Sequence, residues 1–218
     1  ESDVPMSTDV TVHVVDDDAA VRDSLSILLE TAGFTVECFD GGEALLANLD
    51  VERPGCVVLD LAMKGMSGIE TQAALAERGS MLPVIFLSAH GDIPTTVRAM
   101  KGGALDFLTK PVDSSELVAR VRSALDENRE ARVRGRIEAV DRDRLAQLTE
   151  REIEVLRLAV AGHANKNIAR ILDISHRTVE FHRSRILVKT GAASLLQLAH
   201  LVGSAGVPPP RGRVSDDR

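Results

Sequence analysis

Acidic residues follow two apolar segments of the chain that are rich in β-branched residues. The segment 10–15 leads into three consecutive aspartates, Asp16 to Asp18, and the segment 56–59 leads into Asp60. Apolar runs of this kind are typical of strands that are buried in a parallel sheet. In open parallel α/β sheets, ligands bind at the carboxyl ends of the strands. We therefore expect these carboxylates to converge at one edge of a sheet.

Two more segments of the same kind end in residues with different chemistry. The segment 84–87 leads to Ser88 and then His90, and the segment 104–109 leads to Lys110. Carboxylate oxygens suit Mg²⁺, an ammonium group helps to neutralise a transferred phosphoryl group, and a hydroxyl can donate a hydrogen bond to it. The sequence contains no GxxxxGK[ST] nucleotide-binding motif. These residues predict a site that accepts a phosphoryl group on an aspartate without using ATP directly.

These segments resemble the receiver domain of two-component response regulators, and they look closest to the FixJ-type branch of the NarL/FixJ family. The motifs that carry the resemblance are VVDDD, VVLD followed by MKGMSG, LSAHGD and DFLTKP. The resemblance covers residues 9–126. It implies an α/β doubly wound fold of the flavodoxin type, with a five-stranded parallel sheet.

The resemblance also implies a role for each site residue. Asp60 would be the phosphoacceptor, and Phe107 would be the switch aromatic. The phosphoryl group would contact Ser88 and Lys110. The family usually has proline where this chain has Lys64, so we expect a less rigid loop after Asp60. The ligands of a Mg²⁺ ion would be Asp16, Asp17, Asp60 and the backbone carbonyl of Ala62.

The composition fits a chain whose cores consist mainly of aliphatic side chains. Hydrophobic residues make up 44% of the 218 residues, but aromatic residues only 2%. Two cysteines, Cys38 and Cys56, are no disulfide framework and suit a reducing compartment. Neither a signal peptide nor an apolar run of 18 residues is present. We therefore expect a cytoplasmic protein with no membrane partner.

Charge is distributed unevenly along the chain. Residues 145–218 carry 11 Lys and Arg against 7 Asp and Glu, whereas residues 1–144 carry a net charge of −11. We therefore expect only the second part to meet nucleic acid. Its apolar pattern predicts four short helices. The second and third are separated by a tight turn at 173–174, which fits a helix-turn-helix motif.

The string LTEREIEVLRLAVAGHANKNIARILDISHRTVEFHRSRILVKTGA, residues 148–192, resembles the LuxR/FixJ-type helix-turn-helix. By this resemblance the helix from His176 to Lys189 enters the major groove of DNA. There arginine can pair with guanine, glutamate can accept from cytosine N4, and phenylalanine can touch a thymine methyl group. The residues nearest the bases would be Arg177, Glu180, Phe181 and Ser184. Those that meet phosphates or flank the groove would be Lys166, Arg183, Arg185 and Lys189.

The segment between the two resemblances is rich in arginine and acidic residues. Its apolar residues, Val133, Ile137 and Val140, keep helical spacing. It is therefore either a solvated linker helix or a short coiled seam between two protomers, and Gly135 weakens either helix. The predicted organisation is a receiver domain at 9–126, a charged helical linker at 127–145, a LuxR/FixJ-type DNA-binding domain at 146–204 and a disordered tail at 205–218.

We expect a transcription factor that is switched by phosphorylation, not an enzyme. A sensor histidine kinase would phosphorylate Asp60. The protein would then dimerise, bind double-stranded promoter DNA and regulate transcription, with RNA polymerase as a further partner. An alternative is a constitutive DNA-binding regulator whose N-terminal domain is a phosphorylation-independent protein-interaction module. The face expected to form the dimer contains Val97, Arg98, Lys101 and Asp106.

Overall fold

The computed structural model describes residues 10–89 and 93–204, which divide into two compact units, one that ends at Arg132 and one that begins at Val133. Some of the predicted features lie outside the described residues. They are the first residue of the predicted receiver domain, Asp9, residues 90–92 of the LSAHGD motif, including His90, and the tail 205–218.

The described part of the first unit is a parallel sheet with helices on both faces. The strands are β1 (Thr11–Val15), β2 (Thr35–Phe39), β3 (Gly55–Asp60), β4 (Val84–Ser88) and β5 (Asp106–Thr109). They lie in the order β2-β1-β3-β4-β5. The helices are α1 (Ala19–Thr31), α2 (Gly42–Asn48), α3 (Gly68–Glu77), α4 (Ile93–Lys101) and α5 (Ser114–Ala146). This architecture confirms the predicted doubly wound fold.

Alternate residues of the strands supply two cores, one on each face of the sheet. Val12 and Val14 belong to the core that includes residues of α1 and α5. Val15 and Leu59 belong to the core that includes residues of α2, α3 and α4. Strands β1, β3 and β4 are buried at every position, as expected for strands covered on both faces. The strand order reverses between β1 and β3, so a crevice is expected at their carboxyl ends.

Helix α5 is 33 residues long and contains the whole segment that was predicted to be a linker. The first unit continues along it to Arg132, beyond the predicted end of the receiver at 126. Here α5 is joined to the rest of the first unit by the buried Asn128 side chain, which accepts a hydrogen bond from the Gly55 N–H at 3.1 Å and donates one to the Met81 carbonyl at 2.6 Å.

The rest of the linker segment carries an exposed apolar stripe. Val133, Ile137 and Val140 are each about half exposed, and Gly135 does not interrupt the helix. The solvated helix and the seam between protomers both stay predictions.

The described part of the second unit has four helices after α5. They are α6 (Glu150–Val160), α7 (Asn165–Leu172), α8 (His176–Thr190) and α9 (Leu195–Ser204). Thr149 and Glu152 form a capping box at the start of α6, and Ser175 caps α8. Asp173, in the left-handed conformation with φ 52°, ends α7 and begins the turn to α8. These helices agree with the helix-turn-helix that the sequence predicts.

No single helix among the described residues is long and apolar enough to cross a membrane. By length and composition alone, α8 and α9 pass that test only as a pair bent by 60°.

Candidate functional site

Two acids and a lysine come together at the carboxyl ends of β1, β3 and β5. Asp60 is the last residue of β3, and Asp16 follows β1 directly. Both are buried, with only 7% and 2% of their surface exposed. Lys110 Nζ, just beyond β5, donates hydrogen bonds to Asp16 Oδ2 at 2.6 Å and to Asp60 Oδ1. A single ammonium group is therefore shared by two buried carboxylates.

The environment of Lys110 keeps its side chain charged. Burial alone would lower the pKa of Lys110, but the hydrogen bonds and charges of Asp16 and Asp60 outweigh this effect and raise the pKa above its ordinary value. The backbone N–H of Lys110 donates to the Ser88 carbonyl at 2.7 Å, and the Lys110–Pro111 peptide is cis. The Lys110 side chain is 22% exposed, so an anionic ligand can reach it from solvent.

The second oxygen of each buried carboxylate accepts a backbone hydrogen bond. Asp60 Oδ2 accepts from the N–H of Ala62 at 2.8 Å, and Asp16 Oδ1 accepts from the N–H of Asp18 at 2.9 Å. These bonds fix the orientation of both carboxyl groups. Asp18 also caps α1 by accepting from the N–H of Ala20.

Lys64 contacts the third predicted metal ligand, Asp17, mainly through its backbone. The N–H of Lys64 donates to Asp17 Oδ2 at 3.3 Å, and the ammonium group lies 3.9 Å from the same oxygen. The Lys64 side chain is 95% exposed, so solvent screens its charge. A proline at this position would have no N–H to offer to Asp17.

The predicted metal ligands have suitable chemistry but do not form a ready-made chelate. They are all oxygens, which Mg²⁺ prefers, and Mg²⁺ binds through one or two carboxylates together with water. Among the described residues, no group of three or more His, Cys, Asp or Glu side chains could hold a metal ion. Instead, Lys110 bridges Asp16 and Asp60. The two buried acids therefore fit a hydrated Mg²⁺ rather than a metal held by protein ligands alone.

A glycine allows the loop after Asp60 to return to the end of β3. The N–H of Gly68 donates to the Leu61 carbonyl at 3.1 Å, and Ser67 with Glu70 forms the capping box of α3. A Cβ atom at position 68 would overlap the backbone carbonyl oxygen of Asp60. Glycine is therefore required for α3 to begin this close to the Asp60 backbone.

Ser88 and Phe107 lie on neighbouring strands beside the acids. Ser88 is the last residue of β4 and is 4% exposed, and it pairs in register with Thr109, the residue before Lys110. Phe107 is half-buried, and its ring centroid lies 6.4 Å from that of Phe86. The structure therefore places both residues on the strands that border Asp60 and Lys110.

In the second unit, α8 exposes one face along its length. Arg177, Glu180, Phe181, Ser184 and Arg185 are all exposed, and their spacing of three and four residues places them on one side of the helix. The opposite side is buried in the core of the unit. The residues predicted to approach the bases therefore lie together on the solvent-facing side.

Two residues that were predicted near the DNA backbone make contacts within the unit. Arg183 donates to Asn165 Oδ1 at 2.6 Å, which connects α8 to the start of α7. Lys189 Nζ donates to Glu152 Oε2 at 2.6 Å and to the Gln147 carbonyl at 3.2 Å. Both side chains thus join helices of the unit, and their contact with DNA stays a prediction. Lys166, by contrast, is exposed.

Glu152 is the centre of a charged cluster between α6 and α8. It is 2% exposed. Burial would raise the pKa of its carboxyl group, but hydrogen bonds from Lys189 and Thr149 outweigh this effect and lower the pKa below its ordinary value. Arg185 Nε lies 3.5 Å from Glu152 Oε1, and its guanidinium group lies 5.7 Å from the centroid of the Phe181 ring. Glu152 therefore holds two cations of α8.

Comparison with known proteins matches each unit to a family and the whole chain to relatives that contain both units. A family model described as response regulator receiver domain matches residues 12–122, and one described as bacterial regulatory proteins, luxR family, matches residues 146–202. Transcriptional regulatory protein FixJ of Bradyrhizobium diazoefficiens is 43% identical over 93% of this chain and 98% of its own length. Transcriptional regulatory protein TdiR of Thauera aromatica is 46% identical over 88% of this chain and 85% of its own length. The solved structure of response regulator StyR is similar with a TM-score of 0.76 and 44% identity, over 89% of this chain and 98% of that one.

The chain belongs to the response regulators with a LuxR-type DNA-binding domain. Such proteins regulate transcription and are not enzymes, as predicted from the sequence. A receiver domain implies a histidine kinase as partner, and a LuxR-type domain implies DNA binding.

The residues of the predicted dimer face are exposed on α4, whereas the one on β5 forms an ion pair within the first unit. Val97, Arg98 and Lys101 are exposed, whereas Asp106 Oδ2 lies 3.0 Å from Arg120 Nε on α5. Sequence reasoning missed Arg120, because this contact joins a strand to a helix and has no local signal.

Sequence reasoning on this response regulator also missed Val188, which is 79% exposed. It lies four residues after Ser184 and seven after Phe181, on the face of α8 predicted to meet DNA. Helical periodicity could have found it, because these spacings place residues on one side of a helix.

Proposed function

We propose that this response regulator is activated by phosphorylation of Asp60, dimerises through the face formed by α4, β5 and α5, and then binds promoter DNA through α8. The observation that carries the proposal is the burial of the Asp60 carboxylate beside Asp16, with Lys110 Nζ shared between them. An unphosphorylated carboxylate in this position can accept a phosphoryl group where a positive charge is already present.

In the proposed reaction, an Asp60 oxygen attacks the phosphorus atom of the donor. An acyl phosphate forms on Asp60 as the bond between phosphorus and the kinase histidine, or the acetate of acetyl phosphate, breaks. The Lys110 ammonium group then donates a hydrogen bond to one phosphoryl oxygen, and the Ser88 hydroxyl donates to a second phosphoryl oxygen. A bound Mg²⁺ would supply positive charge that neutralises these oxygens. It would be held by Asp16, Asp17, Asp60 and the backbone carbonyl of Ala62.

The proposed switch connects this site to the dimer face through β4 and β5. When Ser88 moves towards the phosphoryl group, space opens beside Phe107, whose ring already lies against Phe86. Inward rotation of Phe107 would change the surface between β5 and α4. A two-fold contact there would place basic residues of one protomer opposite an acid of its partner. The residues proposed for this contact are Val97, Arg98, Lys101 and Asp106.

In the proposed complex, two copies of α8 occupy half-sites about one DNA turn apart, ~10 bp between centres. At the promoter the dimer would contact RNA polymerase, and the reduced cysteines fit a cytoplasmic location. The proposed contacts to base edges are Arg177, Glu180, Phe181 and Ser184. The proposed contacts to phosphates and the groove edge are Lys166, Arg183, Arg185 and Lys189.

Labelling of the full-length protein with acetyl phosphate tests the phosphoacceptor. Intact-mass analysis is expected to show one phosphoryl adduct on the wild type and none on Asp60→Asn. Asp18→Asn is the matched control, because Asp18 is an exposed neighbour of the site that caps α1, and it should be labelled like the wild type. Asp17→Ala should lose the Mg²⁺ dependence of labelling. A full adduct on Asp60→Asn would exclude this assignment.

DNA binding that is equal with and without phosphorylation would favour the constitutive regulator.

Light scattering after activation with beryllofluoride tests the dimer face. We expect a monomer to become a dimer in the wild type and to stay a monomer in Val97→Arg, because the substitution would bury an unpaired charge. Ile27→Arg is the control, since Ile27 is exposed on α1, outside the proposed contact. A Val97→Arg protein that dimerises normally would rule out this surface.

A further inference from the structure

Around the axis of α8, Val188 lies at the middle of the solvent-facing side. An α-helix turns through roughly 100° for each residue, so Val188 lies about 20° around the helix axis from Phe181 and about 160° from the buried Ile186. Val188 is 79% exposed and Phe181 is 57% exposed. The two residues therefore form an apolar line, two turns apart, on the face proposed to enter the major groove.

The neighbours of Val188 fix its direction. Ile186 and Thr190 are buried, Leu187 packs against the core, and Lys189 is bound to Glu152. Rotation of this part of α8 would break all of these contacts. Valine is also a poorer helix former than alanine, so its exposure adds nothing to the stability of the helix.

Two of the polar side chains beside this line have partners within the second unit. Arg185 lies against Glu152 and over the Phe181 ring, and Glu180 lies 3.6 Å from His176. A single exposed apolar residue on a protein surface needs no explanation. Two in line on the face of a helix proposed to enter the major groove have a specific partner available, because the thymine C5 methyl group is the apolar feature of that groove.

We infer that Phe181 and Val188 select the operator by contacting two thymine methyl groups in each half-site. Seven residues of helix span about 10.5 Å, and successive base pairs are ~3.4 Å apart, so the two thymines should lie about three base pairs apart, on either strand. The inference rests on the proposed function, in which α8 lies in the major groove.

Uracil substitution isolates this contact, since uracil differs from thymine only by the missing methyl group. The operator is first selected from random DNA duplexes by the full-length protein, after treatment with acetyl phosphate and Mg²⁺. It is then resynthesised with uracil in place of each thymine in turn, and binding is measured by fluorescence anisotropy. The wild type should bind about fourfold more weakly at two positions in each half-site, the factor expected when one methyl group is no longer buried.

The variants assign each methyl group to a side chain. Val188→Ala should become insensitive to uracil at one of the two positions, and Phe181→Ala at the other. Ile171→Ala is the matched control, because Ile171 is a half-exposed apolar residue of α7 rather than of α8, and this variant should keep the fourfold loss of affinity at both positions. The ratio of affinities for thymine and uracil is compared within each variant, so a general change in affinity does not affect the result.

The outcomes separate the inference from the proposal on which it depends. If the wild type selects no sequence at all, DNA binding by α8 fails. Two other results would contradict only the methyl contacts of Phe181 and Val188. In the first, the wild type selects an operator, but uracil changes its affinity at no position. In the second, Val188→Ala still shows the fourfold loss of affinity at both positions. In either case the proposed function stands.

Discussion

Replacement of Lys189 by methionine tests whether this lysine stabilises the fold or binds DNA. Lys189 Nζ donates to Glu152 Oε2 at 2.6 Å, and Glu152 is 2% exposed. Without the ammonium group, the buried carboxylate keeps the backbone N–H of Thr149 at 2.9 Å and Arg185 at 3.5 Å. Methionine preserves the aliphatic part of the side chain, so the change removes mainly the charge.

The expected loss of stability follows from this geometry. Removal of one partner from a buried ion pair costs ~3–5 kcal/mol. Arg185 compensates in part and the Lys189 side chain is 23% exposed, so we expect about 2–3 kcal/mol for Lys189→Met. If Lys189 instead binds a phosphate, the variant should fold normally, and the slope of log affinity against log salt should fall by about one.

Hydrogen exchange measured by mass spectrometry on the full-length protein separates these outcomes. The chain has no Trp or Tyr, and exchange reports on the second unit independently of the first. Amides of α6 and α8 that exchange through unfolding should exchange roughly 30- to 150-fold faster in Lys189→Met. The double variant Glu152→Gln, Lys189→Met should recover most of the protection, since an amide needs no counter-charge. Unchanged exchange in α6 and α8, together with a smaller salt slope, would refute the structural role.

The pH dependence of the same amides provides a second check. The pKa of the Glu152 carboxyl group is lower in the folded state than its ordinary value of 4.5, which applies to the unfolded state. The folded state therefore releases the carboxyl proton more readily than the unfolded state does. The contribution of Glu152 to stability is therefore fully present above about pH 4.5 and is lost as the pH falls through the folded-state value. In Lys189→Met the pKa of Glu152 should rise, and protection should depend less on acidification.

Three further predictions concern the first unit. Gly68→Ala should destabilise it by ~1–3 kcal/mol in denaturant titrations and slow labelling by acetyl phosphate, because the new Cβ overlaps the Asp60 carbonyl. Arg132→Ala should speed hydrogen exchange in the loop before β3, whose carbonyls accept three hydrogen bonds from this guanidinium group, whereas the exposed Arg129→Ala should not. Burial of His13 lowers its pKa below 6.5, so stability should fall as the pH drops below about 6.5, and thermal melting of His13→Leu should show a weaker dependence.

The strand-end site could be predicted because local sequence patterns identify the strands and the polar residues that follow them. An apolar run identifies a buried strand, and parallel topology brings the carboxyl ends of the strands together. Asp16, Asp60 and Lys110 follow from these two rules, and the structure brings them within hydrogen-bonding distance. How one ammonium group divides its bonds between two acids depends on side-chain geometry and is absent from the sequence pattern.

Contacts between distant elements were harder to predict. The family resemblance placed Lys189 near the proposed DNA face, but a long side chain can bend back, and its ammonium group lies on Glu152 of α6. The polar composition after residue 126 suggested a solvated linker. Asn128 is nevertheless 1% exposed and contacts both the start of β3 and the Met81 carbonyl, since a single amide can satisfy backbone groups of two separate segments.

In each unit a lysine neutralises a buried carboxylate, but the balance of charge differs. Around Glu152 there are two cations, Lys189 and Arg185, for one acid, so the cluster has no deficit of positive charge and stabilises the packing of α6 and α8. At the strand ends, Lys110 is the one cation among the described residues that forms an ion pair with the Asp16 and Asp60 carboxylates, which leaves an excess of negative charge on these three side chains. Such a site favours binding of an additional cation, and a phosphoryl group on Asp60 would increase the excess further. Lys110 would then have to divide its hydrogen bonds differently, and under the proposed function this requirement would make the strand-end cluster respond to phosphorylation, whereas the Glu152 cluster would not.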